Sequence, residues 1–195
     1  MFDIILIIKT VGLIGIFLII FAESGLFFGF FLPGDSLLFT AGLLASTGVF
    51  DIYSLLVGCI VAAIAGDSVG YFMGKKMGRA IFDRDQGFFF KKSRVRSAEA
   101  FYRKHGVSTI IMARFIPIIR TFAPIVAGIS YMKYSLFVVY NTIGAIVWVT
   151  LLVFLGYFLG NFIPNPDSYI LPIIIGIIII SLLPILIKIT KVRVR

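Results

Sequence analysis

Ala113-Arg114-Phe115-Ile116-Pro117-Ile118-Ile119-Arg120-Thr121-Phe122-Ala123-Pro124-Ile125-Val126-Ala127-Gly128 is the stretch whose reading decides the fold. Apolar sequence flanks it on both sides, yet it carries two arginines and two prolines. An arginine at the centre of a membrane helix costs at least ~2.5 kcal/mol even on lenient insertion scales. Proline removes a helix hydrogen bond and clashes with the preceding turn. A segment with both features belongs where protein or water, not lipid, surrounds it. It is the candidate site, with Arg114 and Arg120 as its chemistry and Pro117 and Pro124 as hairpin breakers.

Working outward, the chain of 195 residues is 60% hydrophobic and 14% charged. Apolar runs near the ~20 residues needed to cross a bilayer recur along most of it. The expected fold is an all-α, polytopic membrane protein forming a single domain over 1–195. Met1-Phe2-Asp3 offers no basic leader and no small-residue cleavage site follows, so Ile4–Ala22 reads as a retained span. Lys9 lies close enough to its end to snorkel. Cys59 is the one cysteine, which excludes an intramolecular disulfide. A net charge of +9 in a soluble protein would suggest nucleic acid. Here the basic residues sit beside membrane segments, which points instead to topology and to anionic membrane lipid as a partner.

Leu26–Gly48 is apolar but interrupted by Pro33-Gly34-Asp35, a turn signal within a hydrophobic stretch. Ile52–Gly74 is the next span. Residues 75–106 then form a basic loop, with ten Lys/Arg over 75–104. Ser93–Gly106 within it reads as an amphipathic helix, with Val95, Ala98, Phe101 and Tyr102 on its apolar side. Tyr134–Gly160 is a further span, Asn161–Ser168 a loop, and Tyr169–Ile187 the last span before a basic tail.

Charge fixes the expected topology. The basic loop and tail should both face the cytoplasm, so an even number of crossings separates them. Tyr134–Gly160 and Tyr169–Ile187 supply two, and Val107–Met132 must therefore enter from the cytoplasmic side and turn back. If Leu26–Gly48 also turns back, the chain has about four spans and two re-entrant hairpins, with both termini cytoplasmic. Counting Leu26–Gly48 as a full crossing would put the N-terminus outside. An internal repeat favours the first arrangement. AG at 41–42, YSLLV at 53–57 and GYFMG at 70–74 recur as AG at 127–128, YSLFV at 134–138 and GYFLG at 156–160. Opposed copies form an inverted repeat, which places a site near the midplane where the broken segments meet. Aligned on AG, Asp35 falls opposite Thr121, beside Arg120.

Guanidinium groups are permanently charged and grip phosphate oxygens in bidentate fashion, so a buried arginine pair suits a phosphate head group. The competing reading is that they tie hairpin carbonyls together or pair with Glu23 and Asp35. A carboxylate between burial and a nearby arginine can take up and release a proton as its partner comes and goes. Glu23 and Asp35 are the candidates for that coupling. Against this, Glu23 also fits an interfacial charge closing the first span, and Asp35 a turn residue bonding its own backbone. Asp67 is a secondary candidate. Gly66, Gly70 and Gly74 suggest close helix packing, with Asp67 bonding a neighbour. Asn141, Trp148 and Cys59 read as packing residues. His105 lacks metal-ligating company, and no catalytic triad, zinc spacing or phosphate-cradling loop is visible. No metal and no cofactor is expected.

The motifs resemble the DedA family of bacterial membrane proteins, which is related to the eukaryotic VTT-domain lipid scramblases. The matching residues are FAESG with Glu23, FLPGDSLLF with Asp35, AGDSVGYFMGKKMGR with Asp67, and FYRKHG leading into MARFIPIIRTFAPIVAG. Ile118-Ile119 stand where many members have a glycine after the proline. The resemblance implies membrane helices with two facing re-entrant hairpins. It also implies lipid transport across the bacterial cytoplasmic membrane, in some members of undecaprenyl phosphate. By motif position, Glu23, Asp35, Arg114 and Arg120 match the family's functional residues, with Pro33 and Gly34 breaking the first hairpin. The expected function is a proton-linked flippase for undecaprenyl phosphate, not an enzyme. A less selective phospholipid scramblase and a proton-coupled small-ion antiporter are the alternatives, and a homodimer is one assembly that fits.

Overall fold

The structure, a computed structural model, describes residues 4–26, 32–82 and 109–162. They form six helices and no strand: α1 (Ile4–Gly25), α2 (Gly34–Ser46), α3 (Ile52–Phe82), α4 (Thr109–Ala113), α5 (Pro117–Ile129) and α6 (Tyr134–Phe162). The amphipathic helix expected over 93–106 and the last span expected at 169–187 lie outside the described residues.

Two helices are long and apolar enough to cross a membrane, Ile52–Lys76 of α3 and Tyr134–Phe162 of α6. Each presents an apolar stripe at helical spacing. Tyr53, Val57 and Val61 are exposed on α3, and Val139, Ile143, Ile146, Val147, Leu151 and Leu155 on α6. Water would oppose so long an apolar face, whereas hydrocarbon accommodates it. Asp51 caps the start of α3: its carboxylate accepts the Ser54 N–H at 2.7 Å. That bond holds its carboxyl below the usual carboxylate range.

Three boundaries differ from expectation. α1 runs on to Gly25, so Glu23 lies within its last turn. α3 continues to Phe82, into what reads as the basic loop, because Lys75-Lys76 are good helix formers beyond the apolar stretch. At the third, α2 opens at Gly34 and closes at Ser46, short of Gly48, with Pro33 at the N-cap and Asp35 in the first turn. An acid there suits the positive end of the helix.

The chain divides into two compact units. The first comprises Met1–Ile19, Phe31–Cys59 and Val149–Arg195. In it α2 meets α6 backbone to backbone. A Cβ on Gly42 would collide with Val153, and one on Gly156 with the Phe39 carbonyl. Leu38, Leu43, Leu55, Cys59 and Val153 fill its core.

The second comprises Ile20–Phe30 and Ile60–Trp148. Here α3 packs on α5 in the same manner. A Cβ on Gly74 would meet the Ile125 backbone, and one on Gly128 the Tyr71 carbonyl. Tyr71 stacks on Phe137 with ring centroids 4.8 Å apart, and its hydroxyl donates to the Met132 carbonyl. The repeat thus has a structural counterpart. Ala41-Gly42 lies against the span that carries GYFLG, and Ala127-Gly128 against the span that carries GYFMG.

α2 and α5 also end alike. Val49 N–H donates to Leu44 C=O and Gly48 N–H to Ala45 C=O. Met132 N–H donates to Ala127 C=O and Tyr131 N–H to Gly128 C=O. Both are Schellman endings, which need a left-handed residue. Gly48 has φ +78° and Tyr131 φ 52°.

Candidate functional site

Four segments of the second unit carry the site. On α1, Ile20 and Glu23 are both buried, three positions apart. On α3, Gly66 and Gly70 flank Asp67. A Cβ on Gly25 would lie 2.9 Å from the Gly66 Cα, so α1 and α3 touch by their backbones beside both acids. Only residues without a side chain allow that approach.

The break between α4 and α5 supplies the cations. Ile116 is extended (φ −117°, ψ 107°), as a residue before proline should be, and Pro117 takes the first helical position of α5. Arg114 therefore lies in the break, and Arg120 in the first turn of α5, with its N–H on the Ile116 carbonyl at 2.9 Å. Pro124, expected to break the segment, sits inside α5 without ending it. Its ring packs near Gly70, whose missing side chain leaves the space.

Each arginine meets one carboxylate. Arg114 Nη2 donates to Asp67 Oδ2 and, at 2.8 Å, to Asn141 Oδ1. Arg120 Nη2 donates to Glu23 Oε1. Trp148 lies between the pairs: its ring centroid is 4.3 Å from Arg120 Cζ and 5.8 Å from Arg114 Cζ. All six side chains are buried, none more than 3% exposed. α6 makes room for them, since a Cβ on Gly144 would come within 2.9 Å of Arg114 Cδ.

Burying an ion costs several kcal/mol, offset only when an opposite charge and hydrogen bonds replace water. Among the described residues, two cations and two anions meet here. An added anion would therefore displace a carboxylate or bring a proton to one.

The structure thus brings Arg114, Arg120, Glu23 and Asp67 together. Asp35, Pro33 and Gly34 belong to the first unit, at the start of α2. Asn141 and Trp148, which sequence reasoning assigns to packing, are part of the site. Their signal is legible in retrospect: Asn141, Gly144 and Trp148 follow one another at spacings of three and four, a polar, small and aromatic stripe on one helix face.

The VTT domain family matches residues 32–158. The chain is 46% identical over 178 residues to Protein DedA of Escherichia coli (strain K12), covering 90% of this chain and 81% of that one. It is 47% identical over 169 residues to Uncharacterized membrane protein ML0287 of Mycobacterium leprae (strain TN), covering 87% and 75%. It is 34% identical over 146 residues to Inner membrane protein YqjA of Escherichia coli (strain K12), covering 75% and 66%. No solved structure gives a significant match.

Proposed function

Because the chain belongs to the DedA family of VTT-domain membrane proteins, we propose that it is a transporter that carries a lipid phosphate across the bacterial cytoplasmic membrane, with undecaprenyl phosphate as its substrate. The observation that carries this reading is the pair of buried guanidinium groups, Arg114 and Arg120, gathered on one indole with one carboxylate each. Arginine forks match phosphate oxygens, and the first turn of α5 adds the positive end of a helix. A polyprenyl tail would stay in hydrocarbon while the head group enters the protein.

Proton linkage follows from charge balance. When the phosphate takes the arginines, Glu23 and Asp67 lose their partners, and protonation removes the cost of leaving them buried and charged. Asp35 serves the same cycle from the first hairpin. In this reading Leu26–Gly48 and Val107–Met132 are re-entrant, the termini are cytoplasmic, and the basic loop holds anionic lipid at the inner exit. The inner-membrane placement of YqjA supports the membrane assigned here.

Native mass spectrometry of the purified protein tests the substrate class. A bound polyprenyl monophosphate is expected. Co-purification of phosphatidylethanolamine and its transbilayer movement in reconstituted vesicles would favour the scramblase instead. Proton flux in vesicles without any lipid phosphate would favour the small-ion antiporter.

A further inference from the structure

We propose that Trp148 is a positioning residue for the anion site: its indole lies against both guanidinium groups and holds Arg114 without occupying its N–H donors, which stay available to the phosphate. This deepens the lipid-phosphate reading above and rests on it. A cation over an aromatic ring is held by the ring quadrupole within about 6 Å of the centroid, and no N–H bond is spent in doing so. Arg120 at 4.3 Å and Arg114 at 5.8 Å both meet that condition on the same ring. An oxygen acceptor in place of the indole would hold the arginines by consuming the donors that phosphate needs.

Arg114 shows the consequence. Its Nη2 serves Asp67 and Asn141. Its Nε and Nη1 are buried with no hydrogen-bond partner among the described residues, although the side chain is only 3% exposed. Leaving buried donors unsatisfied is costly, and more so when the group is charged. A phosphate monoester entering the site offers the acceptor oxygens that remove this cost. The Nδ2 of Asn141 is likewise buried without a partner among the described residues and adds a neutral donor from the same helix face as Trp148. The indole therefore acts on the substrate through the arginines.

Trp148 is the single tryptophan of the chain, so its emission reports on this site alone. The test titrates the full-length protein, in detergent, with dodecyl phosphate as the probe, followed by tryptophan emission and by calorimetry. The wild type should show a saturable change in emission that coincides with calorimetric binding. Trp148→Phe keeps an aromatic face and should bind within about 3-fold of the wild type. Trp148→Leu should bind about 10-fold or more weakly, the loss expected for a desolvated cation–π contact of about 1–2 kcal/mol. Binding by the wild type without any change in emission overturns this role for Trp148, and so does wild-type affinity in Trp148→Leu. Either result leaves the phosphate site standing. The emission experiment needs no variant, so it decides the matter even where Trp148→Leu fails to fold. Absence of calorimetric binding by the wild type overturns the phosphate reading, and this inference with it.

Discussion

Asp67 accepts a hydrogen bond from Arg114, 47 positions further along the chain, with both side chains at most 3% exposed. Removing one member of a buried pair strands the other and typically costs about 3–5 kcal/mol. Asp67→Ala should therefore lower the melting temperature and the membrane yield of the protein. The double variant Asp67→Leu with Arg114→Met removes both charges and should regain much of that stability while remaining inactive in lipid transport. A double variant that transports normally would make the pair purely structural.

Glycine positions give a graded stability test. Gly128 faces Tyr71 and Lys75 of α3, and a Cβ there would lie 2.8 Å from the Lys75 nitrogen. Backbone cannot move aside as a side chain can, so Gly128→Ala should push α3 and α5 apart and lower the melting temperature. At Gly15 on α1 no described residue lies within 4 Å of the added Cβ. Gly15→Ala should be neutral or stabilising by up to about 1 kcal/mol through helix propensity. Equal melting shifts for the two would contradict the close packing of α3 on α5.

The cap at Asp51 responds to pH. Its folded-state carboxyl titrates below the ordinary value because the Ser54 N–H binds the charged form. The contribution to stability is thus complete above the unfolded-state value, about 3.9, and is lost as pH falls through the lower folded-state value. Asp51→Asn retains a capping oxygen and should melt close to the wild type at neutral pH. Asp51→Ala should melt lower. An alanine variant that melts like the wild type would show that the bond contributes nothing.

Topology is open to labelling. Tyr131 ends α5 in the left-handed region and is 45% exposed, whereas the native Cys59 is fully buried. A Tyr131→Cys variant should react with a membrane-impermeant maleimide from the cytoplasmic side, with Cys59 silent. Reaction only from the outside would overturn the re-entrant reading of Val107–Met132.

How far the sequence foretells these features depends on the range of the interactions behind them. The spans at α3 and α6 are legible because hydrophobic runs of that length have one common explanation. The break before α5 is legible because Pro117 dictates local geometry at Ile116. Glu23 reads both as a span end and as a coupling residue, since the sequence does not show its partner, and Arg120 is 97 positions away. Asp67 reads only as a secondary candidate bonding some neighbour, for the same reason. Its flanking glycines do serve packing, and it is that close approach of α3 to α1 that sets Asp67 and Glu23 in one site. No local pattern announces pairs of such separation. Trp148 looks like an ordinary core aromatic until both arginines are seen to share its ring.

The most direct test of the central claim is transport of a fluorescent polyprenyl monophosphate by reconstituted Arg120→Lys. Lysine keeps the charge beside Glu23 but lacks the planar fork that binds phosphate in bidentate fashion and that lies over the Trp148 ring. Transport is expected to fall at least about 10-fold, the effect of losing roughly 1.4 kcal/mol, with Arg120 restored as the control. A lysine variant that flips the lipid at the wild-type rate would contradict capture of the phosphate by the arginine pair.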